Sequence, residues 1–116
     1  MQAFNVTQQR TLARVLTVAD SFFRSLVGLM GRSGLEVGHG LWIVPCQSVH
    51  TFWMRFPIDV VFVAKDGTVA KICSGVKPWR TAIAFGAFAA IELAAGGAGH
   101  SGTAVGDRLR LTVARG

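Results

Sequence analysis

The chain has 116 residues, of which 51% are hydrophobic and 16% charged. That is enough apolar surface to offset the entropy of ordering a backbone, which excludes disorder and points to one small domain. No apolar run reaches the ~20 residues that a membrane helix needs, so no transmembrane segment is expected. The formal net charge of +6 invites a nucleic-acid partner, but the 12 Lys and Arg residues are scattered from Arg10 to Arg115 and follow no recognition motif. No specific nucleic acid is therefore expected.

The opening "MQAFNVTQQRTLARVL" lacks the long apolar centre of a secretion signal. A cytoplasmic location is expected for the chain as written, with export of the native form if a signal has been trimmed. Residues 1–12 read as an N-terminal extension and residues 13–116 as a single domain. The segment "ARVLTV", Ala13 to Val18, is β-branched and partly alternating, which suits a strand. Asp20 then supplies a helix cap, and Phe23, Leu26, Val27 and Met30 recur on one helical face before Gly31 stops it.

"GLWIV", Gly40 to Val44, reads as a short buried strand ended by Pro45. In extended form, His50 to Arg55 would turn His50, Phe52 and Met54 to one side and Thr51, Trp53 and Arg55 to the other. The next strand, Ile58 to Ala64, meets "KDGT", a tight hairpin signal because Asp and Gly tolerate positive φ, and "VAKICSGV" returns from it. "AFAAIELAA" fits a strand or a short helix by periodicity, and a strand through Ala90 to Leu93 is expected. "GGAGHSG" fits a loop, since glycine loses the most entropy on ordering. "VGDRLRLTV" gives a turn and a strand with Leu109, Leu111 and Val113 inward. Many short strands with tight turns and little helix predict a mainly β fold. It would be a small curled sheet or β-barrel with one short helix covering an opening.

The charged residues inside the apolar block "PCQSVHTFWMRFPIDVVF" are the candidates for chemistry. Asp59 lies in a strand apolar on both faces. An ionised carboxylate there costs several kcal/mol of desolvation unless it is paired. Arg55 across the Phe56-Pro57 corner is the nearest partner in sequence, with Arg80 and the local backbone amides as others. His50 is either a hydrogen-bonded structural residue or, four residues from Cys46, an activator of its thiol. Cys46, His50 and Met54 are soft ligands of the kind copper prefers, but neither His39 nor His100 has the spacing of a further ligand, so no metal or other cofactor is expected. Cys46 and Cys73 read as buried thiols rather than a disulfide. In "VKPWR" the Trp79 indole stands beside cations and could stack on Arg80 or on a flat ligand.

"GLMGR", "GLWI", "PCQSVHTFWMRFPIDVVF", "DG" at Asp66 and Gly67, "KPWR" and "VGD" occur in an order that resembles the family called domain of unknown function 192, over nearly the whole chain from about Ala13. The resemblance implies a compact, mostly β domain without an established activity. It carries over Cys46, His50, Thr51, Met54, Arg55, Pro57, Asp59, Lys77, Pro78, Trp79, Arg80 and Asp107. Relatives often form a short helix where this chain has Gly97 and Gly99. The expected function is a non-catalytic binding or accessory module for a small polar or anionic ligand, held by His50, Arg55, Asp59, Trp79 and Arg80. Cys46, Thr51, Met54 and Asp107 stand as secondary candidates. The alternative is a hydrolase-like enzyme using His50 with Asp59 or Cys46.

Overall fold

A computed structural model describes residues 1–18, 35–52 and 54–113. The expected helix from Asp20 to Met30 and the side chain of Trp53 lie outside these residues.

The strands in chain order are β1 (Gln2–Asn5), β2 (Arg10–Ala13), β3 (Val15–Val18), β4 (His39–Ile43), β5 (Ser48–His50), β6 (Ile58–Val63), β7 (Val69–Val76), β8 (Thr81–Ile83), β9 (Ala89–Ala94) and β10 (Leu109–Thr112). One helical turn, α1 (Gly97–His100), follows β9. The strands form a five-stranded sheet in the order β3-β4-β9-β6-β7, a three-stranded sheet β10-β1-β2 and a β5-β8 pair. The sheets are separate, and among the described residues they do not close into a barrel.

The large sheet is covered on both faces, which explains why all six residues of "IDVVFV" in β6 are buried. On one face Val61, Val63, Ile91 and Leu93 pack with Ala3, Leu12, Ala13 and Leu109 of the three-stranded sheet. On the other face Ile58, Val60, Phe62 and Ala90 pack with Val49, Met54, Phe56, Ala82 and Ala84 around the β5-β8 pair. The "KDGT" hairpin joins β6 to β7 as its sequence predicts, with Gly67 at φ 91.

The first twelve residues contribute strands to the fold: β1 pairs with both β2 and β10, and Ala3 is fully buried. Their polar residues Asn5 and Gln8 conceal this role, because their side chains bind Asp107 at the far end of the chain. Gly97 to His100 is helical rather than a loop, because a buried carboxylate of β6 accepts amides at its start. Past His50 the chain leaves the extended form, so Phe52 and Met54 do not share a face: Phe52 is 38% exposed and Met54 only 4%.

Candidate functional site

Asp59 is fully buried, as its apolar strand requires. Its Oδ1 accepts the amide of Gly75 at 2.8 Å, and its Oδ2 accepts the amides of Gly96 and Ala98 at 3.1 Å each. The expected ion pair with Arg55 is not formed. Arg55 is exposed beyond the Phe56-Pro57 corner, while the carboxylate turns toward the face occupied by Leu93 and Ala98.

The amides it meets arise from two local irregularities. Ile58 pairs with Val76 and Val60 with Cys73, so Asp59 alone opposes Ser74 and Gly75, a bulge that frees the Gly75 amide at φ 60. Gly96 and Ala98 open α1, where the first amides lack intrahelical partners. The glycine-rich "GGAGH" is a poor helix former by itself. A buried carboxylate from another strand supplies its acceptor. Asp59 is thus a positioning residue that fixes two turns.

A second cluster forms where β5 meets "KPWR". Thr51 is fully buried, and its Oγ1 donates to Lys77 O at 2.6 Å and accepts from the Arg80 amide at 2.9 Å. Its backbone amide donates to Arg80 O, and its carbonyl accepts from the Trp79 amide. Thr51 thereby clamps the whole turn. Trp79 is held at φ 64, a left-handed conformation that a bulky residue adopts at a cost on the order of 1 kcal/mol or more. The ring of His50 stacks on Phe52 with centroids 4.8 Å apart, and Phe52 stacks on Trp79 at 5.8 Å. Trp79 is 52% exposed, and the exposed cations Lys77 and Arg80 flank it, with Arg80 Nη1 donating to Trp79 O.

Of the residues expected to form one site, His50, Trp79 and Arg80 come together; Arg55 and Asp59 do not join them. Phe52, absent from the sequence-derived set, completes the stack. Met54 belongs to the core. Asp107 is structural: hydrogen bonds from Asn5, the Ala104 amide and Gln8 hold its carboxyl below the usual range.

Glu92 is the other residue that the sequence patterns did not single out. It lies in β9 between Leu41 and Val60, is 4% exposed, and its Oε2 has no hydrogen-bond partner among the described residues. Burial pushes its carboxyl up to about 7. A signal exists, since a carboxylate inside "AFAAIELAA" invites the same desolvation argument as Asp59. Burial first, and the charge of Glu92 as well, raise the Cys46 thiol. Both cysteines are free, Cys46 buried and Cys73 half-buried. Native protein at neutral pH should therefore label about tenfold faster at Cys73 than at Cys46 with a disulfide reagent. Equal rates would contradict a protonated, sheltered Cys46. Among the described residues no three His, Cys, Asp or Glu side chains are grouped to hold a metal ion.

The model of the family DUF192, Uncharacterized ACR, matches residues 4–111. The chain belongs to the DUF192 family. No curated protein matches it. Two solved structures share the fold of this DUF192 domain. A candidate transcription regulator from Sinorhizobium meliloti superposes with a TM-score of 0.73 at 24% identity, covering 94% of this chain and 89% of that one. A protein of unknown function from Novosphingobium aromaticivorans gives 0.75 at 22% identity, covering 95% and 82%. No described helix of the DUF192 domain is long and apolar enough to cross a membrane.

Proposed function

We propose that this DUF192 domain is a non-catalytic binding module that takes a small, planar, anionic or polar ligand on the face made by His50, Phe52 and Trp79. The observation that carries this reading is Trp79, a half-exposed indole held in a strained backbone conformation by the Thr51 clamp. Such strain persists only where surrounding structure enforces it, and it clusters at ligand sites. An aromatic surface offers stacking to a flat molecule, and Lys77 and Arg80 beside it favour negative charge. Asp59 supports the site from below by anchoring Gly75, two residues before Lys77.

The hydrolase reading has less behind it. Both oxygens of Asp59 are engaged by amides, and the Cys46 thiol is shifted away from its nucleophilic form. A regulator's role is raised by the name of the Sinorhizobium protein alone, at 24% identity, a likeness of fold.

Titrating the protein with adenosine monophosphate and with benzoate should quench tryptophan emission saturably, with Kd on the order of 1 mM. Trp79→Ala should abolish the quenching, and Arg80→Gln should weaken it several-fold. Emission unchanged by both probes, or the same response from Trp79→Ala, would overturn the proposal.

A further inference from the structure

We propose a second binding site, for a small organic anion carrying a short apolar chain, in the cavity between β2, the start of β4 and α1. This cavity has a volume of about 830 Å3 and shares no residue with the aromatic face. It falls in the size range of small-molecule sites. Arg14, His39 and His100 line it, as do the apolar side chains of Leu12, Val37 and Leu93. One guanidinium-bearing and two imidazole-bearing residues, from three segments of the chain, thus line one space.

The three side chains are placed by specific features of the fold. Gly38, at φ 84, has no side chain, and the Arg14 chain lies across it, with Nε 2.8 Å from where a Cβ would stand. Arg14 Nη2 donates to Val37 O at 3.4 Å, which leaves its other donors for a ligand. His39 stands beside Val15 in the parallel pairing of β4 with β3. His100 ends α1, whose opening amides are held by the buried Asp59 carboxylate. Gly97 lets that turn rest on Leu93, since a Cβ there would approach Leu93 Cβ to 3.3 Å. Arg10 adds positive charge nearby, its Nη1 lying 3.5 Å from the position of a Cβ at Gly102, next to the lining residue Ser101.

The one acid that the described residues place on this set is Glu36, whose Oε2 is 3.0 Å from His39 Nε2. Its side chain is 73% exposed, and a surface pair of this kind breaks at little cost. An anion entering the cavity would replace it on His39. The ligand chemistry is therefore a phosphate or carboxylate head, taken by Arg14 and the imidazoles, with a tail of a few carbons along the apolar lining at the exposed Val37.

The test uses butyl phosphate, pentanoate and inorganic phosphate, followed by the imidazole resonances of His39 and His100. One or both of the tailed probes should shift both imidazoles saturably, with Kd on the order of 1 mM, and should bind more tightly than inorganic phosphate. The stronger of the two identifies the head group. Arg14→Gln and His100→Gln, both at exposed positions, should each weaken binding about tenfold, while Glu36→Gln should tighten it. Imidazoles unmoved by either tailed probe at about 20 mM would overturn the site, as would unchanged affinity in Arg14→Gln and His100→Gln. Neither outcome bears on the quenching experiment at Trp79, so the two proposals fail separately.

Discussion

Asp59→Asn is expected to destabilise the protein by about 2–4 kcal/mol, seen as a lower denaturant midpoint. The side chain volume is unchanged, so the loss comes from hydrogen bonding alone. A carboxylate presents acceptors on both sides; an amide presents one acceptor and one donor. Whichever way the substituted side chain turned, its NH2 would face either the Gly75 amide or the pair from Gly96 and Ala98. A buried donor would then oppose another donor with no water to relieve it. Hydrogen exchange should localise the damage, with faster exchange of the Gly75, Gly96 and Ala98 amides. A midpoint equal to that of the parent protein would show that these three bonds do not hold the fold.

The second large effect is on pH. The Glu92 carboxyl is raised from 4.5 to about 7 because burial penalises its charged form. Below about 4.5 it is protonated in both folded and unfolded chains. Between about 4.5 and 7 the unfolded chain releases the proton first, so stability falls as the pH rises. Above 7 the folded protein carries a buried charge and has lost about 3 kcal/mol relative to acid, since each tenfold change in proton affinity is worth roughly 1.4 kcal/mol. Asp66, held low chiefly by the Thr68 amide, and Asp107, held low chiefly by Asn5, act in the opposite sense. Their contributions are lost only as the pH falls below the ordinary aspartate range, so the two effects occupy different windows. Thermal melts of the parent protein should decline from pH 4.5 to 8, whereas Glu92→Gln should remove this slope and Glu92→Leu should melt higher than the parent at pH 8. A flat profile in the parent, or an unchanged slope in Glu92→Gln, would contradict the burial of an unpartnered carboxyl.

The two acids show how far residue patterns reach. The strand at Ile58, the "KDGT" hairpin and the last strand from Leu109 were all legible, because alternation and turn chemistry act between neighbours, but Val113, expected inward, lies past the end of that strand and is 78% exposed. The burial of Asp59 was legible for the same reason: apolar residues on both sides of a strand leave a side chain nowhere else to go. The identity of its partner was not. The three amides that hold it lie 16, 37 and 39 residues away and become available only through a bulge and a helix start. Nothing in local sequence ranks them above an arginine four positions back. Glu92 carried the same signal, which the strand-or-helix question over "AFAAIELAA" obscured.

By itself the sequence determined the strand from Ile58 with its hairpin partner and the strand from Leu109, that charge is buried at position 59, and that an indole stands beside cations in "KPWR". Only the tertiary structure decided that residues 1–12 complete a sheet with the C-terminal strand, and that the Thr51 clamp sets Trp79 on Phe52, which stacks in turn on His50. It likewise decided that Arg14, His39 and His100 share a cavity. The reason is one of range. Periodicity and turn preference are set by adjacent residues, whereas a hydrogen-bond partner or a cavity wall is set by where distant segments return after the chain has folded.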